Sequence, residues 1–236
     1  MRPTLFEIGG IAFHAYNVIL AVAFLTGVWL WFRENDRRAR PFNVTPMGAL
    51  WLFAGVLVGS KVFFQLQYRP LSELHHALYV WEGGLVFYGG LIGGTIAALG
   101  YVFYCREDPV AIGDSLMPYV PLFHGVGRLG CFLNGCCWGA PAAVPWAITF
   151  PEGSLPHAQQ LNDGLVARGE GPLPIHPTQL YAAFGLFALA GILFAVRRRP
   201  LPQGAMLCLY PVLYGFFRFG NEFFRADIGR PAAGLT

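Results

Sequence analysis

The chain has 236 residues, of which 55% are hydrophobic and only 12% charged, with a formal net charge of +3 and a mean hydropathy of +0.49. Soluble domains carry about a quarter charged residues, so this composition excludes an ordinary soluble domain and points to a chain that crosses a bilayer several times. The small net charge decides nothing by itself, whereas the placement of Lys and Arg beside the apolar runs sets orientation.

Six apolar runs come near the roughly 20 residues that a helix needs to span a bilayer: 16–32, 46–66, 85–105, 112–135, 179–196 and 204–220. They predict an all-α polytopic membrane protein of about six transmembrane helices, a single transmembrane domain over residues 1–236. The first run ends in a basic loop holding Arg33, Arg37, Arg38 and Arg40, and the fifth ends in Arg197, Arg198 and Arg199. If spans alternate, these loops and the short connection at Arg106 share one side, which the positive-inside rule makes cytoplasmic. The N-terminus, the loop 67–84, the loop 138–177 and the C-terminus are then expected outside. The N-terminal segment carries one arginine, Arg2, and no small-residue cleavage pattern, so it does not read as a cleaved signal.

The second run contains Lys61, which either snorkels or pairs with a carboxylate, together with Gly55 and Gly59; the third contains Gly89, Gly90, Gly93 and Gly94. Glycines four apart let helix backbones approach closely in lipid. The fourth run has Asp114 near its start and ends in GRLGCFLNGCCWG, residues 127–139. An ionisable group at membrane depth costs about 2.5–3.5 kcal/mol on insertion scales and marks chemistry or an ion path, so Arg128 is a candidate functional residue.

The loop 138–177 is rich in Pro and Gly, and the alternation of Val144, Trp146, Ile148 and Phe150 predicts one strand bounded by prolines. It reads as a small extracytoplasmic cap inserted in the membrane domain, too short to bury a core of its own. HPTQLY, residues 176–181, reads as the start of the fifth span, with Pro177 in the first turn and Thr178 near a cap. Tyr16, Tyr88, His176, Gln179 and Tyr181 all fall at outer span ends.

The last run ends in YGFFRFGNEFFR, where Arg218, Glu222 and Arg225 share a face if the helix continues. One reading is an interfacial ion pair with snorkelling arginines. The other is that Arg128 and Arg218 converge on an anion, for which a lipid phosphate is suited because its oxygens match the guanidinium fork.

These segments resemble the prolipoprotein diacylglyceryl transferase family. GRLGCFLNGCCWG is similar to the family signature GRxGNFxNxExxG, HPTQLY to HPSQLYE, WEGGLVFYGGLIGG to a glycine-rich third-span segment, and YGFFRFGNEFFR to the last arginine and glutamate motif. They occur in the family's order, over residues 16–227. The resemblance implies a multi-pass enzyme of the bacterial inner membrane, both termini outside, which moves the diacylglyceryl group of phosphatidylglycerol onto the signal cysteine of a lipoprotein precursor. It implies that Arg128 and Arg218 hold the phosphate, that Glu222 is the family's glutamate and Tyr16 its first-span tyrosine, and that Asn134, Gly139, His176 and Gln179 contribute to substrate binding. Phospholipid, precursor peptide and bilayer are the expected partners, with no nucleic acid, no cofactor and no assigned metal.

Three positions depart from the family: Tyr88 replaces a histidine, Cys131 an asparagine and Cys136 a glutamate. All three remain candidates for the catalytic set, although a phenol of ordinary pKa near 10 is a poorer base than imidazole. Family members also carry a seventh span after the last motif, and six are expected here. The substitutions leave two alternatives open, transfer of a lipid group to another acceptor and a thiol-redox or metal-binding role for the same fold.

Cys105 and Cys208 read as buried, inert thiols in apolar runs. Cys131, Cys136 and Cys137 admit three readings: packing with a possible disulfide, a nucleophile or redox thiol beside Arg128, or a metal site completed by His124 or His176. On an unbroken helix, steps of five and six residues turn about 140° and 240°. Convergence of the three thiols therefore needs a break, which Gly135 can provide.

Overall fold

The computed structural model describes residues 4–8, 11–68 and 86–226. A short antiparallel hairpin, β1 (Thr4–Ile8) and β2 (Ile11–His14), leads into α1 (Ala15–Asn35), which is followed by α2 (Met47–Tyr68), α3 (Phe87–Tyr104), α4 (Pro109–Leu116), α5 (Val120–Asn134), α6 (Leu155–Asn162), α7 (Thr178–Val196) and α8 (Ala205–Glu222). The chain is thus an all-α polytopic membrane protein apart from the hairpin, whose strands are too short for hydrophobic periodicity to reveal. Helices α1, α2 and α7 are long and apolar enough to cross a bilayer. Leu25, Trp51, Val58, Phe103 and Phe216 are exposed, a surface that water penalises and hydrocarbon accepts.

The predicted fourth span, 112–135, is instead two helices, α4 and α5. Pro118 lies in the turn between them and Pro121 in the first turn of α5. Proline lacks the amide donor and clashes with the carbonyl four residues back, so a continuous helix is blocked where a new helix start is tolerated.

Contacts divide the chain into two compact units, one of residues 1–29 and 114–236 and the other of residues 30–113. In the second unit α2 and α3 pack through glycine. A methyl group at Gly59 would strike the Gly89 carbonyl and the Gly93 Cα, and one at Gly55 the Gly93 carbonyl. Lys61, predicted within this span, is 3% exposed. The Thr45 and Tyr101 hydroxyls, 2.8 Å apart, tie the α2 entrance to α3.

The first unit is built around α7, which is apolar on all sides and buries one of them: Ala183, Leu186 and Leu193 are fully covered, while Phe184 and Ile192 are exposed. α8 begins at Gly204, where the Asp114 carboxylate accepts the Gly204 amide at 2.6 Å and the Leu207 amide at 3.0 Å. Asp114 thereby satisfies orphan donors at a helix N-terminus and places a negative charge at its positive end.

Segment 138–177 forms no strand. Pro145 interrupts the alternation, and of its residues only Ile148 pairs fully, exchanging two 3.0 Å hydrogen bonds with Ile175. Phe150, 1% exposed, packs edge-on against Phe132 of α5.

Candidate active site

Residues four apart on a helix share a face, and two such stripes meet in the first unit. α5 contributes His124 and Arg128; α8 contributes Tyr210, Tyr214, Arg218 and Glu222. His124 Nδ1 lies 3.3 Å from the Tyr210 hydroxyl, its Nε2 lies 3.4 Å from Arg128 Nη2, and its ring sits 5.1 Å from that of Tyr214. The Arg128 guanidinium also hydrogen-bonds Tyr214 and donates to Cys137 Sγ at 3.7 Å. Each step forward on α5 meets a step forward on α8, so the helices run parallel here. Arg218, one turn beyond Tyr214, forms an ion pair with Glu222 on its own helix.

Arg225 does not continue that face. α8 stops at Glu222 with Phe223 as its cap, and Arg225 instead forms a bridge with Gly139, close enough for its charge to act on Cys137. Two guanidiniums, Arg128 and Arg225, therefore flank one thiol. Hydrogen bonds from the Cys131 and Cys136 thiols, followed by these two charges, hold the Cys137 thiol well below the ordinary thiol range.

Three cysteines converge because the chain reverses after α5. Gly135 closes the helix at φ 73°, Cys136 N bonds back to Cys131 O at 3.1 Å, and Cys137 adopts φ 59°. A left-handed conformation is routine for glycine and uncommon for cysteine. The sulfurs of Cys131, Cys136 and Cys137 lie within 4.8 Å of one another and all three are free thiols. No histidine joins this cluster among the described residues, since His124 turns to Arg128 and Tyr210, and His176 Nδ1 lies 3.0 Å from the Tyr181 hydroxyl. The reading of Cys208 as buried is corrected: it is exposed, on an apolar helix face that lipid can cover, and Cys105 is half-exposed.

The HPTQLY segment clamps the reversed turn. Thr178 does not cap α7; its hydroxyl donates to Cys137 O at 2.8 Å, while Gln179 Nε2 donates to Cys136 O at 2.8 Å. Gln179 is 1% exposed and its Oε1 has no hydrogen-bond partner among the described residues. Asn134, the last residue of α5, bonds to the Cys136 thiol. Gly139 passes so near His176 and the Phe224 carbonyl that any side chain there would collide with them. His176 also packs edge-on against Phe224.

Tyr88 is 66% exposed at the start of α3, in the unit of residues 30–113. Tyr16 lies in the first turn of α1, and its side chain falls outside the described residues. Sequence reading missed Tyr210 and Tyr214 and considered His124 only as a metal ligand. The repeat of four from Tyr210 to Glu222 was the available signal.

The prolipoprotein diacylglyceryl transferase family model matches residues 3–236. The chain is 35% identical over 229 residues to a phosphatidylglycerol-prolipoprotein diacylglyceryl transferase of Photobacterium profundum, covering 94% of this chain and 80% of that one. It is 36% identical to the protein of the same name from Aliivibrio salmonicida, with 94% and 75% covered, and 35% identical to that from Vibrio cholerae, with 94% and 78% covered. A match along almost the entire chain, with the arginine, glutamine and glutamate motifs in one helical unit, places this protein in the prolipoprotein diacylglyceryl transferase family.

Proposed function

We propose that the chain transfers the diacylglyceryl group of phosphatidylglycerol to the cysteine thiol of a lipoprotein precursor, releasing glycerol phosphate. The observation that carries this reading is the half-buried Arg128, held on α5 by His124, Tyr214 and Cys137. A fixed cation in apolar surroundings stabilises charge that develops on a departing phosphate, and it needs no reorganisation during the reaction.

In this reading Arg128 binds the lipid phosphate, and Arg218, oriented by Glu222, supplies the second guanidinium. The exposed Asn134 amide offers a polar contact to glycerol or peptide, while Gln179, Gly139 and His176 keep the turn in place. Tyr16 stands as a further member of the set, and Tyr88 is kept as a candidate on its sequence motif alone. The enzyme would be multi-pass in the bacterial cytoplasmic membrane with six spans and both termini outside, the arginines after α1 and α7 facing the cytoplasm.

The test is turnover by purified protein given labelled phosphatidylglycerol and a signal-cysteine peptide. Arg128→Gln is expected to lower kcat by about 100-fold or more, the scale for loss of one transition-state donor. Glycerol phosphate release unchanged in the Arg128→Gln, Arg218→Gln double variant would overturn the reading.

A further inference from the structure

Cys131, Cys136 and Cys137 present their sulfurs within 4.8 Å of one another. Tetrahedral zinc with Zn–S bonds of about 2.3 Å places its sulfurs about 3.8 Å apart, so no pair in the cluster needs to close by more than roughly 1 Å. Packing alone accounts poorly for the arrangement. Cys137 is held at φ 59°, a conformation that persists where surrounding contacts enforce it. Those contacts are present, because Thr178 and Gln179 pin the carbonyls of Cys137 and Cys136. A disulfide would use two of the three thiols and leave the third without a purpose.

We infer that Cys131, Cys136 and Cys137 form a three-thiolate site for a soft divalent cation of the zinc class, with its fourth position open to the acceptor thiol of the transfer reaction. The inference rests on the function proposed above. Sites with three protein ligands and one open position are the catalytic form of zinc coordination. Charge supports the assignment. A dication with three thiolates carries −1 and with a fourth thiolate −2, and two guanidiniums act on this cluster, Arg128 and Arg225. Arg128 donates N–H to the Cys137 sulfur, the kind of outer contact that orients metal ligands.

The site gives a role to two family positions that have become cysteine. The acceptor thiol, on coordination, releases its proton to water. Its sulfur then forms the S–C bond to the glyceryl carbon as the C–O bond to phosphate breaks, and glycerol phosphate leaves with the electron pair. The cation keeps its oxidation state throughout and serves to hold a thiolate at neutral pH.

The test uses the full chain in nanodiscs. Elemental analysis is expected to find about one zinc per chain, unchanged in Cys105→Ser and Cys208→Ser and reduced at least tenfold in the Cys131→Asn, Cys136→Glu double variant, which restores the family residues and guards against misfolding. Arg128→Gln is expected to weaken zinc binding by about 10–100-fold, as loss of an outer-shell partner does. Cobalt(II) should give a thiolate charge-transfer band that shifts when a signal-cysteine peptide is added and stays unchanged with its serine analogue. No zinc and no cobalt band in protein whose three thiols titrate as free would overturn the site, as would a disulfide among them. Transfer at an unchanged rate in metal-free protein would overturn the inference while leaving the proposed function standing. A normal cobalt band without any lipid turnover would overturn the acceptor role and the proposed function together, with the metal site intact.

Discussion

Arg128 Nη2 stands 3.4 Å from His124 Nε2, one helical turn away on α5. A guanidinium can only donate, so Nε2 is the accepting nitrogen, and Nδ1 carries the proton offered to the Tyr210 hydroxyl 3.3 Å away. His124 is thereby fixed as one neutral tautomer that aims Arg128. His124→Phe keeps a ring against Tyr214 and removes both hydrogen bonds. Hydrogen bonds to charged groups contribute about 1.5–3 kcal/mol, so kcat/KM is expected to fall roughly 10–100-fold with helicity by circular dichroism unchanged.

The phenol of Tyr214 bonds the same guanidinium from α8. Tyr214→Phe is expected to lower kcat/KM by about tenfold, the lower end of the same range. Tyr210→Phe, which loses only a neutral contact to His124, should cost about threefold. Steady-state kinetics on the two variants checks the order; equal effects would mean that Arg128 does not depend on Tyr214.

Asp114 holds the start of α8 from 90 residues away in sequence. Asp114→Ala removes the acceptor for the Gly204 and Leu207 amides, and loss of an N-terminal cap costs about 1 kcal/mol. Thermal unfolding in detergent should show a lowered Tm, while Asp114→Asn, which still accepts, is expected to recover part of the loss.

Gly59 faces the Gly89 carbonyl and the Gly93 Cα across the α2 and α3 contact. The obstacle is backbone, which cannot rotate aside. Gly59→Leu is expected to destabilise by at least the 1–3 kcal/mol typical of overpacking, read as a lower Tm. Gly100→Leu, at a position with open space, should leave Tm near that of the parent protein.

Hydropathy located α1, α2, α3, α7 and α8 to within a few residues, because a bilayer demands long unbroken apolar segments and the chain supplies them. It failed at the fourth run, where average apolarity hides what Pro118 does to a helix. Arg128, Arg218 and Glu222 stood out because charge is expensive in hydrocarbon. Tyr210 and Tyr214 did not, since a phenol in an apolar run looks like packing until its partner on another helix is known. Convergence of the cysteines was equally hidden. It depends on the left-handed turn through Gly135 and Cys137 and on carbonyls clamped by Thr178 and Gln179, contacts that span more than 40 residues of sequence. Arg225 was misplaced for a related reason: a helix face was extended past Phe223, where the helix ends.

The most direct measurement of the central claim, that Arg128 and Arg218 serve one lipid phosphate, is an experimental structure of the protein with phosphatidylglycerol in a nanodisc. The account predicts the phosphate within hydrogen-bond distance of the Arg128 guanidinium, with Arg218 on its other side. A headgroup bound away from both arginines, in protein that is turning over lipid, would contradict it.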